Sequence, residues 1–235
     1  AAMAAMLTLT DVPPFDFGVP GVTSLPADTH KYGYALKGTS VLMYSRRELR
    51  ALQYFTAGGW PGGIYLSPGM AGSRSGGVIA ATWAAMISLG QSGYLEIAKG
   101  IFDTTAKLVE GIGRIPELRI LGKPYFLVAV ASASADVNIY HVNDSLADRG
   151  WRMNGLQFPD ALHFCVTRPN TAPGIIDKYL DDLAAAVEYA KAIPADQPPK
   201  SGALYGLSGT GPEGVKVVED LLAGAIDAFY DVPGA

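Results

Sequence analysis

Apolar residues follow two regimes along this chain, short runs cut by glycine and proline in its first part and long periodic stretches in its second. Ile97, Ile101, Thr104, Leu108 and Ile112 recur every three or four residues and predict a helix over residues 93–112. Gly90 separates it from an earlier helical stretch, 75–89, where Ala81, Ala84 and Ala85 suit close packing. Ile175, Ile176, Leu180, Leu183, Val187 and Ala190 set the same period over residues 171–193. Between these helices, the apolar run at 125–131 predicts a strand, and residues 151–158 and 162–167 predict two more, joined by a turn at Pro159-Asp160. Residues 137–150 read as a helix with Asp136 as N-cap and Gly150 just past its end. The order β-α-β-β-α predicts a small α+β domain with an antiparallel sheet. A proline-rich linker at 195–201, an extended segment at 203–207 and a closing helix at 213–230 complete this part.

The first part is read less easily. Residues 6–9 suit either a helix or a strand, and Pro13, Pro14 and Pro20 form a loop around Phe15 and Phe17. Residues 22–25 and 39–44 predict two short buried strands flanking a loop. Residues 45–55 predict a short helix, with Ser45 as N-cap, Glu48 three residues later, and Leu49 and Leu52 on one face. Residues 58–77 hold eight glycines and two prolines, a density that predicts neither helix nor strand. Such a loop either stays flexible at the surface or brings backbone N–H groups close to an anion ahead of the next helix.

Composition narrows the function. With 49% hydrophobic and 17% charged residues the chain has ample core material. Its formal net charge of −4 gives no broad cationic field, which argues against nucleic acid as a partner. The single cysteine, Cys165, excludes an intrachain disulfide and suits a reducing, cytoplasmic setting. Its apolar neighbours predict a buried inert thiol. The longest apolar run, 78–89, carries Thr82 and Ser88 and is too short to span a bilayer. The opening AAMAAMLTLT lacks a basic n-region and is read as neither a signal peptide nor the start of a domain. No His, Cys, Asp or Glu group has metal-ligand spacing, so no metal is expected, and His163 in its strand reads as a core histidine. His141 lies far from the lysines in sequence. Residues 209–214 match G-x-G-x-x-G literally but lack the following strand with an acidic end, so they predict a turn with Pro212 opening a helix. The acceptor pattern Asn143-Asp144-Ser145 falls inside a predicted helix and is discounted.

The stretch with most chemistry is 26–40. His30 directly precedes Lys31, Tyr32-Gly33 follows, and Lys37 sits in a glycine-flanked turn. A lysine that forms a Schiff base must reach a carbonyl carbon and shed its proton near neutral pH, which burial and a neighbouring cation both favour. Lys31, between His30 and two tyrosines with Lys37 close by, has the residue types for both, although a His-Lys pair on residue types alone is usually a solvated surface feature.

The wider string narrows the choice. Gly21-Val22-Thr23-Ser24, then 27–35 (ADTHKYGYA), then Lys37-Gly38 resembles the lysine segment of the group II pyridoxal-phosphate (PLP) decarboxylase superfamily. Within it, the nearest likeness is to the branch of carbon–carbon lyases acting on phosphorylated sphingoid bases. Pro26 stands where a serine is usual, and Leu36 where a proline is usual. Gly72-Ser73-Arg74, with Gly76-Gly77 after one residue, resembles the loop that reaches across the dimer to the phosphate of the neighbouring subunit's PLP. Further matching pieces are Gly62-Gly63-Ile64-Tyr65, Gly150-Trp151, Leu156-Gln157-Phe158-Pro159 and His163-Phe164-Cys165, so the likeness runs from about residue 14 to about residue 230.

The resemblance implies an α/β chain of PLP-dependent transferase fold type I. Residues 1–110 would be the carboxy-terminal part of the PLP-binding large domain and 111–235 a small carboxy-terminal α+β domain, with a long helix linking them near 95–115. It implies that Lys31 holds PLP with His30 beside it, both catalytic, that Gly72 and Ser73 bind the cofactor phosphate, and that Lys37 supplies a cation for the substrate phosphate. It implies a homodimer with shared active sites, and cleavage of a phosphorylated sphingoid base, or another small amine, to a long-chain aldehyde and phosphoethanolamine. The acid for the pyridine nitrogen and the ring stacked on the cofactor would come from segments before residue 1, and Asp28 is not given that role. Eukaryotic members carry an amino-terminal membrane anchor, and none is visible here. The alternatives are an amino-acid decarboxylase and a truncated, non-catalytic partner chain.

Overall fold

The computed structural model describes residues 13–194, 196–202 and 212–230. The segments expected at 6–9 and 203–207, and the glycine turn at 209–211, lie outside them. The chain divides into two compact units, Ala1–Lys99 and Gly100–Ala235.

In the first unit, β1 (Ser24–Asp28) and β2 (Ser40–Tyr44) form an antiparallel ribbon in register from Ser24↔Tyr44 to Asp28↔Ser40. The burial expected for these strands is not found: Val41, Leu42 and Met43 are exposed, because among the described residues the ribbon has no third strand. The short helix α1 (Arg47–Ala51) starts at Arg46 with no side-chain cap. Ser45 does not cap it, because its N–H prolongs the ladder to the Thr23 carbonyl at 2.9 Å. The glycine-rich stretch does hold a strand. β3 (Phe55–Ala57) pairs with β4 (Tyr65–Ser67), an apolar and β-favouring trio inside the run of glycines, and the Phe55 and Tyr65 rings lie 6.0 Å apart.

The helix α2 (Gly76–Ile112) follows, with non-helical backbone at Gly90 (φ 58°, ψ −177°) where a break was expected. Beyond the break its buried stripe is Tyr94, Ala98, Ile101, Thr105, Leu108 and Ile112. Ala98 and Thr105 take the places predicted for Ile97 and Thr104. Thr105 is buried without an orphaned hydroxyl because it donates to the Ile101 carbonyl one turn back, at 2.8 Å.

The second unit is built on an antiparallel sheet of order β5-β6-β8-β7, formed by β5 (Leu118–Leu121), β6 (Leu127–Ser132), β7 (Asn154–Leu156) and β8 (Ala161–Cys165). β5 is a strand the apolar pattern did not single out. The helices α3 (Ile139–Asp148) and α4 (Ile175–Lys191) pack on each other, and α5 (Pro212–Asp227) opens at Pro212. The cap of α3 is Asn138, whose side chain accepts from the Tyr140 N–H at 2.9 Å. Asp136 is instead taken by the Ser134 hydroxyl, which moves the helix start two residues on. At its other end Gly150 (φ 91°) ends the helix, with its N–H on the Ala147 carbonyl and that of Trp151 on the Leu146 carbonyl.

The core joins Val128, Val130, Val142, Leu146, Val166, Leu183 and Val187 to an aromatic group in which Tyr179 meets Phe164 at 4.6 Å and Trp151 at 5.0 Å. Burial pushes the Tyr179 phenol well above its ordinary range. Trp151 donates to Asp182 at 2.8 Å. A side-chain carbon on Gly111 would lie 2.2 Å from Leu180 on α4, so the close approach of the two helices there needs the glycine. His163 and Cys165 are half-buried rather than buried.

The proline-rich segment after α4 is not a loose linker. Asp144, 8% exposed, accepts the N–H groups of Lys200 at 2.7 Å and Ser201 at 2.8 Å. His141 Nε2 donates to the Gln197 carbonyl at 2.9 Å, and the Ser201 hydroxyl to the Tyr140 carbonyl at 3.1 Å. Leaving two amides without an acceptor in Asp144→Ala should cost about 1–3 kcal/mol locally, or a rise of roughly five- to a hundredfold in hydrogen exchange at Lys200 and Ser201. Mass-spectrometric exchange on the complete protein, with trypsin cleavage after Lys200 as a second readout, checks this.

Candidate active site

The lysine loop runs between the two strands of the first ribbon, so its ends are fixed at Asp28 and Ser40. It closes on itself in three bonds, from Lys31 N–H to the Asp28 carbonyl (3.3 Å), Tyr34 N–H to the Lys31 carbonyl (3.0 Å) and Ala35 N–H to the Thr29 carbonyl (3.1 Å). A side-chain carbon on residue 33 would lie 2.3 Å from the Thr29 carbonyl oxygen, so only glycine fits. Tyr34 has φ +55°, a conformation that costs a bulky residue on the order of 1–3 kcal/mol.

This turn places residues i and i+3 side by side, and that decides what surrounds the amine. Lys31 Nζ lies 2.7 Å from Asp28 Oδ2, and the lysine side chain is 68% exposed. The burial and neighbouring cation expected around Lys31 are therefore not what the turn provides: its partner is a carboxylate. The Lys31 ammonium first, and the Ser40 hydroxyl second, hold the Asp28 carboxyl below its ordinary range.

His30 is half-buried, and its Nδ1 lies 3.2 Å from the Thr39 carbonyl. A carbonyl can only accept, so Nδ1 carries the proton and Nε2 holds the lone pair of the neutral ring. Three threonines tie the loop together. Thr29 donates to the Thr39 carbonyl at 2.9 Å, the Thr29 and Thr39 hydroxyls are 2.5 Å apart, and Thr39 meets Thr82 on α2 at 2.9 Å. Thr82 itself donates to the Val78 carbonyl at 3.0 Å, so Thr39 is the donor to Thr82. Tyr94, further along α2, donates to the Gly33 carbonyl at 2.8 Å.

Lys37 is exposed in the returning limb of the loop. The next residue, Gly38 (φ +117°), faces Val78 in the first turn of α2. Residues 71–77 are exposed. Arg74 folds back on its own loop, to the Ala71 carbonyl and at 3.1 Å to that of Gly72, which settles its direction. Ser75 caps α2, its hydroxyl 3.4 Å from the Val78 N–H. Sequence reasoning missed Thr29, Thr39, Thr82 and Tyr94, and treated Thr82 only as a polar interruption of an apolar run. Among the described residues no group of three His, Cys, Asp or Glu side chains is placed to hold a metal ion, and no helix is long and apolar enough to cross a membrane.

No family model matches the chain. It is 41% identical over 218 residues to the sphingosine-1-phosphate lyase of Dictyostelium discoideum and 44% identical over 217 residues to that of Oryza sativa subsp. japonica, each match covering 92% of this chain and 40% of the relative. Among solved structures, the sphingosine-1-phosphate lyase of Burkholderia pseudomallei superposes with a TM-score of 0.82 at 46% identity, over 98% of this chain and 47% of that one. The glutamate decarboxylase of Lactobacillus brevis superposes with a TM-score of 0.61 at 20% identity, a likeness of fold alone. These neighbours define the class of the fold, the α/β fold type I. Within that class the chain is a homologue of the sphingosine-1-phosphate lyases and matches their carboxy-terminal part. It spans about two fifths of the length of the curated relatives it matches.

Asp28 titrates below its ordinary range in the folded chain, so its pairing contributes above that range and is lost as pH falls through the lowered midpoint. Carbon-13 NMR titration of the apoenzyme should show the low midpoint, a rise toward the ordinary value in Ser40→Ala, and a larger rise in Lys31→Ala.

Proposed function

We propose that in the complete enzyme this chain carries the lysine side of a PLP-dependent aldehyde-lyase, which cleaves a phosphorylated sphingoid base to a long-chain aldehyde and phosphoethanolamine. The observation that carries the reading is the identity of 41–46% to sphingosine-1-phosphate lyases over more than nine tenths of the chain. The likeness to a decarboxylase stops at the fold.

The residues present fit the cofactor. Lys31 offers an exposed primary amine on a rigid turn, the group needed to hold an aldehyde carbon covalently. Bound PLP supplies an electron sink for the pair released when the bond between the amine-bearing and hydroxyl-bearing carbons breaks. Lys31 Nζ would hold the cofactor. His30 would flank it with a ring whose tautomer the Thr39 carbonyl sets, leaving Nε2 to accept a proton. Asp28 holds Nζ whenever that amine is free. Lys37, exposed, suits the point charge a phosphate monoester needs.

The same reading makes the functional unit a homodimer in the cytoplasm, with Gly72 and Ser73 serving the PLP phosphate of the other subunit. Its support is the exposure of residues 71–77, Ser73 among them, and the bonds that tie Arg74 back onto the Ala71 and Gly72 carbonyls.

Borohydride reduction of the PLP-loaded complete enzyme, followed by peptide mapping, is expected to put the pyridoxyl adduct on Lys31. An adduct on Lys37 would refute the assignment. With both substrate types supplied, aldehyde release supports the lyase and carbon dioxide release without aldehyde overturns it.

Ser73→Asp and Lys31→Ala homodimers should each be inactive. Subunit exchange between equal amounts of the two should restore about a quarter of wild-type sites, since half the dimers are then mixed and one of their two sites pairs an intact Lys31 with an intact Ser73. No gain over the separate variants, after proven exchange, rules out the shared site.

A further inference from the structure

Tyr94 is distant from the lysine loop in sequence and buried, at 4% exposure, yet its hydroxyl donates to the Gly33 carbonyl at 2.8 Å. That carbonyl belongs to the planar peptide between Gly33 and Tyr34, so turning it changes ψ of Gly33 and φ of Tyr34 together. Tyr34 sits at φ +55°, where a bulky side chain stays only when its surroundings over-determine it. Two of the constraints come from within the turn: Tyr34 N–H to the Lys31 carbonyl and Ala35 N–H to the Thr29 carbonyl. The Tyr94 hydroxyl comes from outside the turn, and it holds the Gly33 carbonyl.

Its position depends on the break in α2. Gly90, at φ 58° and ψ −177°, redirects the backbone just before Tyr94. Thr82, the helix's other contact to the loop, lies on the opposite side of that break. One glycine therefore sets how the Thr82 contact to Thr39 and the Tyr94 contact to Gly33 are spaced.

We infer that Tyr94 is a positioning residue for Lys31: by fixing the Gly33–Tyr34 peptide, its hydroxyl holds the turn in the conformation that presents the lysine amine. The link to catalysis rests on Lys31 as the cofactor lysine proposed above, whereas the hold on the turn does not. Tyr94→Phe deletes the hydroxyl and keeps the buried ring.

In the complete apoenzyme, hydrogen exchange at the Tyr34 and Ala35 amides should rise about fivefold, the effect of one lost neutral hydrogen bond. The dissociation constant for PLP should rise by about the same factor. Tyr54→Phe, which removes an exposed hydroxyl elsewhere in the unit, should change neither. In a Tyr34→Gly background, where φ +55° carries no steric penalty, Tyr94→Phe should have a much smaller effect on both readouts.

Unchanged exchange at the two amides overturns the inference. Faster exchange with unchanged PLP affinity also overturns it, since the hydroxyl would then be structural only. An undiminished Tyr94→Phe effect in the glycine background does the same. If wild-type enzyme takes up PLP at another lysine, the functional reading fails instead, and the trapping experiment shows this before any variant is made.

Discussion

The Thr29 carbonyl occupies the space a side chain at residue 33 would need, and the lysine turn exists because residue 33 has none. Every other feature of the loop follows from that closure. The tight turn stacks Asp28 beside Lys31, forces Tyr34 into a left-handed conformation, and sends the chain back past Thr39 to pair Ser40 with Asp28. The loop does not hold this shape by backbone bonds alone. Threonine hydroxyls run from Thr29 through Thr39 to α2, and a tyrosine further along the same helix takes the Gly33 carbonyl. The Lys31 amine therefore stands on a support that is partly strand and partly helix.

What could be read in the sequence was local. The period of α2, its break at Gly90 and the glycine ending of α3 each depend on residues within a turn or two of one another, and each was legible. The start of α3 was missed by two residues because Asp136 and Asn138 compete as caps, and only the structure shows that Ser134 has already engaged the aspartate. The motif around Lys31 marked the lysine but not what steadies it. Those partners are 43 and 61 residues away, linked by single hydroxyls that leave no trace in an apolar pattern. Proline content likewise made residues 195–201 look like a free linker, although a carboxylate 56 residues upstream fixes them.

The apolar runs of the first unit show the reverse error. A run such as 41–43 says that a side chain prefers burial, not that a covering layer lies within the same stretch of chain. The second unit closes a core of its own around Val128, Val142 and Leu183. The first leaves Leu42, Phe55, Trp60 and Leu66 exposed, and the relatives it matches are more than twice as long.

That contrast bears on how such a polypeptide behaves in a tube. Its two ribbons, β1–β2 and β3–β4, are two-stranded among the described residues, so each offers an outer edge of unpaired peptide groups next to greasy side chains. Prepared as this stretch alone, the material would stick edge to edge as its concentration rose, scattering light and adsorbing to surfaces. Its solubility limit would be set by the first unit, whatever the folding stability of the second.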